Sequence, residues 1–227
     1  MCTLTWQRDP DGALTVHFNR DERKTRPVAE PPAFFEENGV RFLSPRDPQG
    51  GGTWMLANEF GLVVCLLNRW QQEKRPTDPP RSRGRLVWNL ASLKSAEDVE
   101  GSLRDLEKYQ AFTLVVFAPG GDRCFEWDGA ILDTIEVPEF LTSSSFQFED
   151  VSRARKACFL SHPGGPELHA SPWEPPSAYS IRMNRPDAQT WSRSTVEVSD
   201  RIRWRYLAER PGLTGDPEES LAELDLA

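Results

Sequence analysis

The second residue of the chain is a cysteine, and its position could make it a nucleophile. If Met1 is removed, as a small second residue permits, Cys2 carries both a thiol and a free α-amine. The reference pKa of the thiol is about 8.5 and that of the amine about 7.7. A weak base then lies on the same residue as a strong nucleophile and can activate it. The alternative is that Cys2 is a small apolar residue of an edge strand.

A charged segment, "NRDE" at residues 19–22, could complete a site around this thiol. A guanidinium such as that of Arg20 stabilises a nearby thiolate and lowers its pKa. A carboxylate such as that of Asp21 can fix the orientation of an α-ammonium group. The alternative is a solvated cluster of charges at the end of a strand.

Two further positions carry side chains that could stabilise a developing oxyanion. Asn68 ends an apolar run and offers a side-chain amide, which is suited to this role. It could equally be a residue that ends a strand in a turn. Ser143 begins a run of three serines that could donate similarly or cap a loop.

Several other chemistries lack support in the sequence. No G-x-S-x-G, G-x-G-x-x-G or Walker lysine motif occurs, so serine-hydrolase, dinucleotide and P-loop sites are not indicated. Each of the scattered histidines could ligate a metal or haem iron, although a lone histidine is more often a hydrogen-bonded structural residue. The cysteines form no C-x-x-C pair, which favours free thiols and no zinc site. The histidines are His17, His162 and His169, and the cysteines are Cys2, Cys65, Cys124 and Cys158.

The elements around Cys2 read as a β-hairpin. "CTLTW" and "ALTVHF" both alternate apolar and polar residues, and "DPDG" lies between them as a turn. Counting outward from the turn places Cys2 opposite about residue 19, because hairpin register follows loop geometry. The hairpin therefore brings the start of the chain beside Arg20 and Asp21.

The remaining pattern indicates clusters of antiparallel strands with helices between them. Hairpins are expected around "NEFG" and "PGGD", helices over residues 86–93, 99–106 and 149–160, and a loop over residues 161–177. "ILDTIEV", "SRSTVEV" and "RIRWRYL" suggest further strands. This order predicts an α+β fold with two sheets covered by helices. No linker divides the chain, so we expect one domain over residues 1–227, with a frayed acidic tail from about residue 212.

Composition excludes some partners. The 227 residues carry a net charge of −8, whereas binding to nucleic acid needs a basic surface. No apolar run approaches the ~20 residues of a membrane span. The N-terminus has no positively charged segment followed by an apolar core, so no signal peptide is expected. We therefore expect a cytoplasmic protein with no nucleic-acid partner and no membrane span. Basic residues cluster in "RKTR" and "RSRGR", so an anionic small molecule could still be a ligand. The sequence predicts no oligomeric state.

Four segments in order resemble the NRDE family (transport and Golgi organisation protein two-like). They are "MCTLTW", "NRDERKTRP", "GGTWMLANEFGLVVCLLNR" and "SRGRLV". The resemblance is strong over about the first ninety residues. It is weaker through "LTSSSF", with the arginine-bearing helix after it, to "MNRPDAQTWSRSTVEV". The family is similar in turn to the N-terminal-nucleophile hydrolases that include penicillin V acylase and the bile-salt hydrolases.

This resemblance implies a four-layer αββα sandwich of two mainly antiparallel sheets. It also implies that Cys2 is the nucleophile, that Arg20 and Asp21 hold its thiolate and amine, and that Asn68 binds the oxyanion. Ser143 stands where the acylases have an asparagine, and its side chain is shorter. Arg193 is the nearest counterpart of an arginine that occurs late in the acylases.

The implied function is a cysteine amidohydrolase that acts on a non-peptide C–N amide bond of a small acyl substrate. The alternative is a non-catalytic binding or trafficking protein for haem or for lipid or acyl-CoA on the same fold. In that case aromatic side chains would line an apolar pocket, and the basic loop from Lys74 to Arg85 would hold a propionate or phosphate. Apart from haem as a ligand, no cofactor and no metal are expected.

Overall fold

The computed structural model describes residues 2–70, 80–162, 165–171, 177–209 and 217–227. By its internal contacts the chain divides into two compact units. The first unit comprises Met1–Val28, Glu139–Ser199 and Arg203–Leu221. The second unit comprises Ala29–Pro138, Asp200–Ile202 and Ala222–Ala227.

Strands form most of the regular structure. They are β1 (Cys2–Arg8), β2 (Leu14–Arg23), β3 (Glu30–Glu37), β4 (Val40–Arg46), β5 (Met55–Asn58), β6 (Val63–Asn68), β7 (Phe112–Phe117), β8 (Arg123–Trp127), β9 (Leu132–Ile135), β10 (Phe140–Ser143), β11 (Ala188–Val198), β12 (Arg201–Ala208) and β13 (Glu218–Asp225). The helices are α1 (Arg83–Asn89), α2 (Ala96–Ser102), α3 (Phe148–Ser161) and α4 (Gly165–Ala170), with a 3₁₀ turn at Leu106–Lys108.

One sheet has the strand order β10-β1-β2-β11-β12-β13. β1 and β2 form the expected hairpin, closed by a bond of 2.8 Å from Asp9 N to Ala13 O, with Gly12 at φ 91° in the turn. Glycine suits this position because it adopts positive φ at little cost. The hairpin is confirmed, and its register pairs Cys2 with Arg20, one residue beyond the expected partner.

β1 is not an edge strand, because β10 pairs with its other side and sets Cys2 opposite Ser143. β10 was not expected from the sequence, where the run of serines from Ser143 suggested an oxyanion donor or the cap of a loop. β2 pairs in turn with β11, and the register shifts between Thr190 and Ser192. A bulge of this kind re-aims side chains near it, here next to Arg20 and Asp21.

The other sheet runs in chain order, β3-β4-β5-β6-β7-β8-β9. Its two expected hairpins, β5–β6 and β7–β8, are confirmed. Asn58 closes the first of them: its Oδ1 accepts bonds from Phe60 N at 3.1 Å and Leu62 N at 3.3 Å. The sheet buries an apolar cluster against α1 and α2, including Leu86, Val87 and Val99.

The helix expected over residues 149–160 is present as α3, whereas α1 and α2 differ from their expected bounds. The helix expected over residues 86–93 ends at Asn89. α2 begins with a capping box between Ser95 and Asp98, which satisfies the first free N–H groups, and it ends at Ser102. Asp105 then takes a left-handed conformation, φ 54°, which separates α2 from the 3₁₀ turn.

Two segments late in the chain also depart from expectation. Within the expected loop at residues 161–177, Gly165–Ala170 forms α4. The acidic end, where we expected fraying, contains β13 over Glu218–Asp225. The polar residues of β13 are mostly exposed, and Arg205 of β12 pairs with its Glu219 at 2.7 Å. β13 is thus marked by ion pairs to the neighbouring strand and not by an apolar face of its own.

The expected single domain over residues 1–227 stays a prediction.

Candidate functional site

Cys2 is enclosed between two strands at the start of the first unit. Only 6% of the residue is exposed, and Arg20 and Ser143 lie directly opposite it on the two neighbouring strands. Directly opposed residues of an antiparallel pair project to the same face. The Cys2 nitrogen donates a bond of 3.0 Å to Ser143 Oγ. This nitrogen would be the α-amine once Met1 is removed, so Ser143 contacts the amine side of the residue.

Arg20 lies beside Cys2 and is itself 5% exposed. Its Nη2 is 3.7 Å from Glu22 Oε2, so its charge is partly balanced within β2. The hydroxyl of Tyr206 contacts Ser192 in the same region. Burial raises the pKa of Tyr206, while Ser192 and the charge of Arg20 lower it. A neutral phenol therefore lies near the guanidinium.

The balance of forces on the Cys2 thiol is not the one expected from the sequence. Burial raises the pKa of this thiol, and the negative charge of Asp21 raises it further. The positive charge of the N-terminus lowers the pKa, as do a hydrogen bond from the Asp21 backbone and the charge of Arg20, but burial outweighs them and the net shift is upward. Such a thiol is protonated at neutral pH. It becomes a nucleophile only if a base within reach accepts its proton.

The carboxylate of Asp21 is held by side chains from other elements. Thr190 Oγ1 donates to Asp21 Oδ1 at 2.7 Å, and Arg155 Nη2 is 3.2 Å from Asp21 Oδ2. The side chains of Asp21 and Arg155 are both fully buried. The expected role of Asp21 in orienting the α-amine stays a prediction.

Sequence reasoning did not find Arg155, although the pattern of α3 contains a signal. The buried residues of this helix are Val151, Arg155 and Phe159, at intervals of four. Residues with this spacing share one face of a helix, so the arginine interrupts an apolar stripe. A buried charge in such a stripe needs a partner, and Asp21 is that partner.

Two of the scattered histidines meet in the first unit. The ring centroids of His17 and His169 are 5.5 Å apart. His17 Nδ1 bonds Thr195 Oγ1 at 3.0 Å, and His169 is held by Thr5 at 2.8 Å and Asn19 at 2.8 Å. Burial lowers the pKa of His17 to about 4 and that of His169 well below its usual value. Both rings are therefore neutral and hydrogen-bonded, as expected of structural histidines.

A cavity of about 500 Å³ is lined by His169 and Arg193, among other residues. Arg193 is the residue that the sequence resemblance matched to a late arginine of the acylases. Arg193 lies opposite Asn19, not opposite Arg20. Because neighbours along a strand project to opposite faces, it lies across the sheet from Cys2. Arg193 also pairs with Glu209. It is thus not beside the thiol.

Asn68 and the basic loop belong to the second unit. Asn68 ends β6, is partly exposed and lies opposite Phe112 of β7; its role toward an oxyanion stays a prediction. Of the loop from Lys74 to Arg85, residues 71–79 lie outside the described residues. Its later part forms the start of α1, and Arg83 donates to Ala111 O at 2.7 Å.

Other features of the described chain bear on ligands and location. Within it, no group of three histidine, cysteine or acidic side chains is placed to hold a metal ion. None of its helices is long and apolar enough to cross a membrane. The four cysteines, all in described segments, are free thiols.

Comparison with known proteins gives a family and a fold. The sequence profile of the family "Transport and Golgi organisation 2" matches residues 1–132. No curated protein sequence matches the chain.

Solved structures of two enzymes resemble the chain over most of their length. A cysteine-to-alanine mutant of conjugated bile acid hydrolase from Clostridium perfringens has a TM-score of 0.59 at 13% identity, covering 99% of this chain and 92% of that one. An arginine-to-leucine variant of the same hydrolase gives 0.58 at 13% identity, with the same coverage. The Caenorhabditis elegans orthologue of N-acylethanolamine-hydrolyzing acid amidase gives 0.57 at 10% identity, covering 86% and 92%. The expected N-terminal-nucleophile-hydrolase-like α+β fold with two antiparallel sheets is confirmed.

Proposed function

Since the chain belongs to the Transport and Golgi organisation 2 family and has an N-terminal-nucleophile-hydrolase-like fold, we propose that it is a cysteine amidohydrolase. Its substrate would be a small molecule with a non-peptide C–N amide bond. One observation carries the proposal. Cys2 is enclosed opposite Arg20, and its nitrogen bonds Ser143 Oγ at 3.0 Å.

The raised pKa of the thiol supports an N-terminal mechanism over a free thiolate. Burial keeps the Cys2 sulfur protonated, so the proton must pass to a nearby base during attack. The α-amine exposed by removal of Met1 is on the same residue and has a reference pKa of about 7.7. The hydroxyl of Ser143 would hold that amine in place.

The reaction then has two balanced halves. The sulfur attacks the amide carbon as the α-amine accepts the thiol proton, and a C–S bond forms. The C–N bond breaks as the proton moves from the α-ammonium to the leaving nitrogen, which departs as an amine and leaves a thioester on Cys2. Water attacks the thioester, gives one proton back to sulfur by way of the α-amine, and the acyl group leaves as a carboxylic acid.

Intact-mass measurement of the purified protein tests this proposal. We expect the chain to lack Met1 and to gain the mass of the acyl group on Cys2 when incubated with an N-acylethanolamine or a conjugated bile acid. Cys2→Ala should abolish the adduct, turnover and labelling by iodoacetamide at Cys2. Cys158→Ala is the matched control, because Cys158 is a partly exposed thiol on α3 and should leave turnover unchanged. Retained Met1 in a hydrolytically active preparation, or turnover in Cys2→Ala, would contradict the mechanism.

The second candidate is a non-catalytic binding or trafficking protein for haem or for lipid or acyl-CoA. One observation favours it: Cys2 is buried and the pKa of its thiol is raised, so the sulfur is protonated at neutral pH. Titration with haem separates the two functions. Saturable binding with a Soret shift that is the same in Cys2→Ala, together with no acyl adduct, would establish the binding function. The free cysteines suit a reducing compartment and support the proposed cytoplasmic location for either function.

A further inference from the structure

Arg155 of α3 is fully buried, and its guanidinium contacts several elements around Cys2. Nη2 lies 3.2 Å from Asp21 Oδ2 and donates to Ala178 O at 3.0 Å. Nη1 donates to Thr3 Oγ1 at 3.0 Å and to Thr142 Oγ1 at 3.1 Å. One side chain therefore links β1, β2, β10 and the segment before β11.

These contacts enclose Cys2 from both sides. On one side, Thr142 Oγ1 donates to Cys2 O at 3.1 Å, and Thr3 is the next residue in β1. On the other side, the backbone of Asp21 hydrogen-bonds the Cys2 thiol. Arg155 reaches Cys2 through Thr142 and Asp21, and each path is one residue long.

Stabilising the fold does not by itself explain an arginine at position 155 of α3. Burying a charge requires its desolvation, and well-packed apolar side chains are often as stable as a buried ion pair. The other buried positions of α3, Val151 and Phe159, are apolar. The planar guanidinium differs from an apolar residue, and from lysine, in fixing several oxygen atoms at defined positions.

From these contacts we propose that Arg155 is a positioning residue for the Cys2 nucleophile. It fixes the first residues of β1 and the backbone at Asp21 on either side of Cys2 and does not touch the substrate. This inference rests on the proposed function of Cys2 as the nucleophile. It assigns the hydrolase site a component on the far side of the sheet.

The test compares the wild type with Arg155→Lys in two measurements. Lysine keeps the positive charge beside Asp21 but cannot bond four oxygen atoms at once. We expect amide hydrogen exchange to become about tenfold faster over residues 2–5 and 140–143, with β11 unchanged. We also expect acylation of Cys2 to become about tenfold slower at saturating N-acylethanolamine, with no change in the concentration that gives half-maximal rate.

Arg153→Lys is the matched control. Arg153 is on the same helix, its side chain is 77% exposed, and its guanidinium pairs with Asp150 at 3.0 Å. It should change neither measurement. Thr142→Val provides a second variant, because it removes the link from Arg155 to Cys2 O and leaves the pair with Asp21. It should slow acylation in the same way by a smaller factor, and it carries the test if Arg155→Lys does not fold.

The outcomes separate this inference from the function on which it rests. Absence of any acyl adduct in the wild type would remove the proposed function, and the role of Arg155 with it. If Arg155→Lys and Thr142→Val were acylated as fast as the wild type, only the role of Arg155 would be overturned. Faster exchange spread evenly over the whole first unit would overturn it too, since that pattern indicates a general stabilising residue.

Discussion

The buried His17–His169 pair predicts a specific dependence of stability on pH. The native pKa of His17 is about 4 against an ordinary value of 6.5, because burial disfavours its charged form. Between these values the unfolded chain binds a proton that the native chain does not. Stability is therefore fully present above pH 6.5 and is lost as pH falls toward 4.

The size of the effect follows from the two pKa values. Over the whole window, from 6.5 to about 4, the loss is about 3 kcal/mol at 1.36 kcal/mol per unit. At pH 5 the loss due to His17 is about 2 kcal/mol relative to pH 7.5. His169 contributes in the same direction, since burial also lowers its pKa.

Urea unfolding of the wild type and of His17→Asn, each at pH 7.5 and pH 5, isolates the contribution of His17. Asparagine does not titrate, and its amide can replace Nδ1 in the bond to Thr195. We expect the stability difference between the two pH values to be smaller in His17→Asn by about 2 kcal/mol. The carboxylates titrate in both proteins and cancel in this comparison. The charge of His17 lowers the pKa of His169, but native His17 is mostly neutral at pH 5, so the contribution of His169 changes little between the two proteins.

His162→Asn is the control, because His162 is exposed and should leave the pH dependence unchanged. The reasoning would be refuted if His17→Asn and the wild type lost the same stability between pH 7.5 and pH 5. An NMR titration that placed the pKa of His17 near 6.5 would refute it independently.

Two further predictions concern the second unit and can be read from chemical unfolding at neutral pH. Gly52→Ala should lower the free energy of unfolding by roughly 3 kcal/mol, because an added Cβ would lie 2.3 Å from the backbone carbonyl carbon of Gly84. Gly101 lies in a helix with open space around it, so Gly101→Ala should leave the free energy of unfolding unchanged or raise it by about 0.5 kcal/mol. Equal effects of the two substitutions would contradict the close packing at Gly52. Asn58→Ala should cost about 3 kcal/mol, because its buried side chain bonds two backbone carbonyls and two backbone N–H groups. The exposed Asn184→Ala should change stability by less than ~0.5 kcal/mol, and a similarly small change at Asn58 would show that the turn does not depend on it.

Local signals in the sequence were sufficient for the part of the site that a hairpin delivers. The turn at Gly12 and the alternation on both sides set the register, so the neighbourhood of Cys2 and Arg20 could be predicted to within one residue. The net direction of the thiol pKa could not be predicted, because the degree of burial depends on distant segments.

Elements defined by long-range contacts were missed for the same reason. β10 has four residues and exists because it pairs with β1. β3 contains two adjacent prolines, which argue against a strand, yet it lies at the sheet edge where missing donors are tolerated. Arg155 could be placed on an apolar helix stripe from its spacing, but its partner Asp21 lies 134 positions away.

The separation of β1 from β10 has a consequence for the order in which the protein can mature. The bond from Cys2 N to Ser143 Oγ joins residues 141 positions apart, and ribosomes add about 5–20 residues per second. The nascent chain therefore exists for roughly seven to thirty seconds with a first hairpin that lacks its second neighbour. During that interval an aminopeptidase can reach the start of the chain, which becomes enclosed only when β10 arrives. Access for trimming and competence for chemistry would thus occur in sequence during synthesis.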